Sequence, residues 1–535
     1  MFWDLIVIGG GFAGVRTAWA LEHQHPGARV LLLEAAAELG GRARSVAVGD
    51  RCALDLGAHY FGTDHRRVRA LADRLAPGSV YSHIPCYGPD PASRTLLEGQ
   101  WRALRRKDSF LDIQGLSKRV GWEHRVRILE SLVRYLELES RIDPHAPWAT
   151  PGAAALDAIT MAEWIADQRV PRWIHEMWTL GVLNILSVHP HQISLLYWLW
   201  YTASNGGFLK IANDFVGGPQ EFALDIGMQG LLLRHAAELR GEVRRATPVR
   251  AVDHGGELVR VDIGEPEPLL ARHVVVATTP AAARRIDFTP ALRPERARLH
   301  NQPVGHAVKV ILRYASPWWA DSLGEHFNVY TAGAHATRIE WFLDTSHPDG
   351  RQHSLTGFVS DQLIAAAGPD PAARRAAVIA ATRELCGDPR AADPLEVHLL
   401  DWREQPWIGG GPNTCPGPGV LHTLRDIFTA PEGPQGRLHF ASAEYACEYP
   451  GYLEGALASG EQVAARIAAA LGERPLAPAR RPLTTRPLQR LGLRMLAAAS
   501  RPAVWAADLA RGLRGHEVTL EPEPTPDAID PTPTT

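Results

Sequence analysis

The opening fourteen residues restrict the fold of this chain more than any later stretch. Asp4-Leu-Ile-Val-Ile8 reads as a buried strand, and Gly9-Gly-Gly11-Phe12-Ala13-Gly14 opens a helix directly behind it. A strand feeding a glycine-rich turn aims backbone N–H groups and the positive end of a helix dipole at one spot, which suits a pyrophosphate. Glycines at this spacing count only in such a setting. Here a helical stretch, Ala13–His23, and a second apolar strand, Arg29–Leu33, follow, and Glu34 closes that strand twenty residues after Gly14. A carboxylate there accepts hydrogen bonds from ribose hydroxyls and repels a 2′-phosphate, so FAD or NAD is expected rather than NADP.

The next residues separate those two. Gly40-Gly41-Arg42-Ala43-Arg44 offers two glycines and two always-charged guanidinium groups close to the first phosphate site. That density suits the longer, flavin-bearing pyrophosphate; a solvated turn is the alternative for the two arginines. With Leu54-Asp-Leu-Gly57-Ala58-His59-Tyr60-Phe-Gly62, this half of the chain resembles the flavin-containing amine oxidases.

Near the other end, Leu438-His-Phe-Ala-Ser-Ala-Glu444, then Tyr449-Pro-Gly-Tyr452-Leu453-Glu454-Gly and a helix over Val463–Ile467, is similar to the strand, turn and helix that close over the isoalloxazine ring in monoamine oxidases. A helix N-terminus beside the pyrimidine end of a flavin stabilises negative charge on the reduced ring. The resemblance continues through Ser194–Tyr201, Val216-Gly-Gly218, Pro303-Val-Gly305, Pro317-Trp-Trp319 and Trp402, and is looser around residues 80–190 and over the last fifty. It implies FAD contacts from Gly9, Gly11, Phe12, Ala13, Gly14, Glu34, Gly41, Arg42, Gly57, Ala58, His59, Tyr60, Glu444 and Leu453, with Val249 where main chain meets adenine. It also implies that Tyr452 forms one wall of the substrate site, that Trp402 packs near the ring, and that Lys309 binds a water beside flavin N5 and assists reoxidation by oxygen. Lys309 sits in the apolar run Ala307–Leu312, where a buried ammonium is costly without a partner; a lysine snorkelling to solvent is the bland alternative.

This chain also departs from the family. The segment after the tryptophan usually reaches a cysteine that bonds to FAD and a tyrosine that faces its partner across the substrate. Gly411 and Pro412 stand at those two positions. Glycine has no thiolate, so noncovalent FAD is expected, and Tyr452 lacks its opposite wall unless Trp407 or Tyr449 moves in. Cys415, four positions on, is displaced too far for a bond to the ring methyl. Trp198, Trp200, Tyr201 and Trp407 are candidates for the channel lining, although such an aromatic run is ordinarily helix core.

The fold class expected is α/β: a Rossmann-like FAD-binding domain interlocked with a mixed α+β substrate domain. The first draws on 1–75, 206–298 and 401–470, with Arg272–Ala277 as one more core strand; the second draws on 76–205 and 299–400. Residues 471–520 read as a basic helical extension and 521–535 as a disordered tail. With 535 residues, 45% of them hydrophobic, the chain can bury a large core. The five cysteines contain no CxxC pair, so neither a metal site nor a disulfide framework is expected. A net charge near −3 gives no basic field for nucleic acid. No apolar run is long enough to span a bilayer and no leader precedes the first strand, so a cytoplasmic protein is expected. The extension is expected to pack on its own protein or to mediate a homodimer, with peripheral membrane contact as the alternative.

The leading expectation is an FAD-dependent oxidase that takes a hydride equivalent from the carbon next to an amine nitrogen. The imine hydrolyses to aldehyde and ammonia, and O₂ becomes H₂O₂. The alternative is a flavin desaturase or tailoring oxidase acting on an amino acid or secondary metabolite. A third reading keeps FAD as a structural ligand in a protein that binds partners through its tail.

Overall fold

The computed structural model describes residues 2–48, 52–82, 92–97, 100–105, 122–212, 217–323, 328–331 and 338–472. The N-terminal pattern folds as a strand Trp3–Ile8, a helix Phe12–Gln24 and a strand Val30–Leu33 parallel to the first. Leu5, Ile6 and Val7 are wholly buried, as a parallel strand covered on both faces must be. Leu269–Val276, anticipated over 272–277, runs parallel along the other edge of Trp3–Ile8. Its own outer edge is divided, with Val259–Asp262 antiparallel beside its first half and Leu438–Phe440 parallel beside its second. Ala251–Asp253, Asp287–Thr289 and Glu242–Arg244 complete an eight-stranded sheet among the described residues.

The registers align Ile8 with Leu33 and Val276, and Val276 with Phe440. Four parallel strands therefore end at one edge, where an open α/β sheet binds its ligand.

A second sheet of seven described strands runs in the order Glu396–Asp401, Val308–Tyr314, His353–Val359, Ile339–Asp344, Asn328–Thr331, Ala92–Leu97, Gln100–Arg105. Val308–Tyr314 pairs antiparallel on both sides, and Lys309 lies in it. The expected α/β architecture is thus present, with its two sheets facing a common cavity.

The last described helix is longer than its sequence suggests: it spans Leu453–Ala470 and so begins ten residues before Val463. Gly455 and Gly460 lower helix propensity, but both sit at close approaches. A Cβ on Gly455 would stand 2.2 Å from the Tyr449 carbonyl oxygen, and one on Gly460 would stand 2.6 Å from that of Ala13. This helix accordingly lies against Phe12–Gln24. Among the described residues no helix is long and apolar enough to cross a membrane. The expected extension, from residue 473 onward, and the tail lie outside the described residues.

Candidate active site

A cavity of about 720 Å³ opens at the edge where the parallel strands end and extends to the second sheet. At its inner end the glycines are required by space. Gly9 has φ +112°, and a Cβ on Gly14 would stand 1.9 Å from the Gly9 carbonyl oxygen. Helix Phe12–Gln24 is capped by Gly11, with no side chain accepting from its first turn. Helix Leu453–Ala470 is capped by Tyr452, again without a side-chain acceptor. Gly11, Phe12, Ala13, Tyr452 and Leu453 all line the cavity. Two positive helix ends thus face one space with their first-turn donors not capped by side chains.

Glu34 is buried, and its carboxylate accepts from the backbone N–H groups of Gly10 at 2.7 Å and Ala36 at 2.8 Å. Burial pushes its pKa up against the pull of those donors. Thr247 and Val249 line the cavity with it. Each carboxylate oxygen has two acceptor sites, so capacity remains for a ribose hydroxyl.

Arg42 lines the cavity but spends its fork on protein. Its two terminal nitrogens donate to the Glu444 carboxylate at 2.7 and 2.9 Å, and one also donates to the Pro412 carbonyl. Glu444 itself sits behind Arg42 and does not line the cavity. Gly14 likewise acts by packing. The two-pronged Arg42–Glu444 contact joins the Gly41 turn to the loop after strand Leu438–Phe440.

Gly57, Ala58, His59 and Tyr60 form one side, with the His59 and Tyr60 rings stacked 3.9 Å apart. From the second sheet the Lys309 Nζ donates to the Gly57 carbonyl at 3.0 Å. Lys309 is only 5% exposed. Burial holds its pKa below the usual lysine range, opposed by the charge of Asp55. The Trp402 indole N–H donates to the neighbouring Leu56 carbonyl at 3.1 Å.

The remaining walls are mixed, with Asn184, Gln220 and Gln405 among apolar side chains. Met177 and Leu180 come from helix Arg172–Leu186, Phe208 and Ile211 from the short helix Phe208–Ile211, and Trp341 and Phe358 from the second sheet. None of these six is marked by a sequence motif, because a cavity-facing apolar residue has the same spacing as a core residue. Tyr452 stacks against Tyr201 at 6.4 Å, and Pro412 lines the cavity at the position of the missing tyrosine.

Several candidates fall elsewhere. Trp198, Trp200 and Tyr201 belong to helix Leu195–Ser204, are buried, and do not line the cavity. Tyr449 is buried away from it, so it supplies no second wall. Trp407 does line it, but is 39% exposed and stands near Arg285. Cys415 is fully buried off the cavity, with its thiol pushed up to about 12 by burial.

A glycine cradle, a buried ribose-ready carboxylate and two helix N-termini fit FAD. The volume lies within the range of ligand sites, about 300–1,000 Å³.

Comparison with known proteins points the same way. Residues 12–468 match the family model of flavin containing amine oxidoreductases. The chain is 27% identical over 480 residues to a flavin-containing amine oxidase of Oncorhynchus mykiss, covering 88% of this chain and 87% of that one. It is 25% identical to the human flavin-containing amine oxidase B, with the same coverage. Among solved structures it resembles cyclohexylamine oxidase from Brevibacterium oxydans IH-35A, with a TM-score of 0.76 and 28% identity over 88% of this chain and 100% of that one. Putrescine oxidase bound to putrescine shares the fold, with a TM-score of 0.73 and 24% identity over 88% of this chain and 99% of that one. A match across 12–468, converging on a cavity built for a dinucleotide, places this chain in the flavin containing amine oxidoreductase family, as an FAD-dependent oxidoreductase acting on amines.

Proposed function

We propose that the chain oxidises amines with an apolar body, holds FAD noncovalently, and uses dioxygen as the final acceptor, releasing hydrogen peroxide. The observation that carries this reading is the meeting of Lys309 and Tyr452, from two different parts of the fold, at one cavity lined by the FAD-type glycine turn.

When bound, FAD supplies the two-electron acceptor for the carbon next to the amine nitrogen. The protein supplies position and dryness. Tyr452 offers its ring to orient the neutral amine. Met177, Leu180, Phe208, Ile211, Trp341 and Phe358 exclude water from the substrate's body. The Lys309 ammonium donates one N–H to the Gly57 carbonyl and has two more donors for a water in the cavity. Glycine at 411 supports noncovalent attachment.

The carboxylates among the described lining residues, Glu34 and Glu38, both belong to the segment after strand Val30–Leu33. No described carboxylate accompanies the apolar side chains, so a distal ammonium would meet no counter-ion among the described residues there. This favours monoamines over diamines.

The test is the visible spectrum of the purified protein before and after acid precipitation, followed by anaerobic titration with apolar monoamines, diamines and amino acids. Yellow supernatant with bleaching by monoamines supports the proposal. Colour in the pellet overturns noncovalent attachment, and bleaching only by diamines or amino acids overturns the substrate class.

A further inference from the structure

We infer that Glu139 is a positioning residue for amine binding, acting through Phe208 on the wall of the substrate cavity. The inference rests on the reading of that cavity as the amine site.

Glu139 ends helix Trp122–Glu139 and is buried, at 6% exposure. Among the described residues no cation pairs with it. A carboxyl in such a place is costly unless backbone or hydroxyl donors hold it. Its Oε1 accepts from the Phe208 backbone N–H at 2.8 Å, and the Thr202 side chain stands beside its carboxyl.

The Phe208 amide is the first of helix Phe208–Ile211, whose cap is Gly207. The chain enters through Gly206 and Gly207 with φ of +94° and +101°, a path open to glycine and strained for other residues. Gly207 has no side chain to cap the helix, and a residue 69 positions away in sequence does it instead. Without Glu139 the entry to this helix loses its side-chain cap.

The same network grips the Phe208 ring. The Tyr135 hydroxyl lies 2.7 Å from the Thr202 hydroxyl, while the Tyr135 ring packs against Phe208 at 5.1 Å. Trp178 stacks on Phe208 at 4.9 Å from helix Arg172–Leu186, the helix that supplies Met177 and Leu180 to the cavity. Glu139, Thr202 and Tyr135 thus fix both the backbone and the ring of Phe208, and Phe208, Ile211 and Ala212 face the cavity. The carboxyl touches neither the cavity nor any reacting atom, so its influence is on fit.

The experiment compares Glu139→Ala and Glu139→Gln holoenzymes with the wild type. Glutamine retains an oxygen acceptor for the Phe208 amide; alanine removes that acceptor. Glu139→Ala is expected to raise KM for an apolar monoamine by about tenfold or more with kcat within about threefold. Glu139→Gln is expected to keep the wild-type KM. Equal loss of kcat and KM effects in both variants, or wild-type KM in Glu139→Ala, overturns the inference. A crystal structure of Glu139→Ala decides it independently of turnover. Displaced residues 207–212 support it even if no monoamine proves to be a substrate, and an unmoved wall overturns it.

Discussion

Lys309 and Gly57 are 252 positions apart in sequence, yet the lysine Nζ donates to the glycine carbonyl across 3.0 Å. The bond links a central strand of the second sheet to the loop that runs along the cavity, so one side chain ties the two halves of the site. Burial favours the neutral amine and Asp55 favours the ammonium. Replacement by methionine keeps the volume and removes the donors. Lys309→Met is expected to cut amine-dependent oxygen consumption by about 10²-fold. Anaerobic bleaching by the same amine, followed in a single turnover, is expected to change by less than about threefold. Equal losses in both would assign the lysine to amine binding instead.

Arg42 and Glu444 make a two-pronged contact, with the Glu444 side chain 4% exposed and that of Arg42 22% exposed. Removing the arginine leaves a nearly buried carboxylate uncompensated, at a cost of about 3 kcal/mol. The loss falls on the turn after Gly41 and on the Pro412 carbonyl, both at the cavity. Arg42→Ala is expected to purify largely without flavin and to bind added FAD about 10²-fold more weakly. Glu444→Gln, which keeps an acceptor and loses only the charge, is expected to be milder. Flavin titration by fluorescence quenching measures both.

The readable part of this site was the part that the cofactor dictates. Gly9, Gly14 and Glu34 announce themselves because a pyrophosphate turn needs glycine where a Cβ would strike backbone and a carboxylate one strand later. The apolar side chains of the cavity were not readable. Phe208 and Ile211 come from a four-residue helix positioned by a distant glutamate, and Met177 and Leu180 repeat the spacing of any core-facing helix. The aromatic run at Trp198 and Tyr201 misleads for the same reason, since it packs inward. The start of helix Leu453–Ala470 was hidden by Gly455 and Gly460, which lower helix propensity but let backbone and helix approach closely.

Gly411 has room that its family relatives' cysteine position would need. A Cβ there would meet nothing closer than the Trp402 Cγ at 3.8 Å, which is ordinary van der Waals contact. Gly411→Cys is therefore expected to fold with little strain and to present a thiol to the cavity. With FAD added, part of the yellow colour is expected to remain in the acid-precipitated pellet, whereas the wild type releases all of it. Release of all flavin by the variant would show that the turn aims residue 411 away from the ring.

The Glu139 carboxyl makes a prediction about stability that can be read without substrate. Burial pushes its pKa from 4.5 to about 7, while the Thr202 hydroxyl and Phe208 amide pull it down. A carboxyl raised in the folded state binds more protons there than in the unfolded chain. Stability from this group is therefore fully present below about pH 4.5 and is lost as pH rises through about 7. The loss amounts to about 3 kcal/mol. Glutamine carries no such penalty. Between pH 5 and pH 8, Glu139→Gln is expected to gain stability relative to the wild type, seen as a widening difference in Tm in its favour. Thermal unfolding of the two holoproteins side by side at several pH values makes the comparison, because every other titrating group is shared. Parallel Tm profiles would mean that the carboxyl titrates in its ordinary range, and that the Phe208 cap is charged throughout.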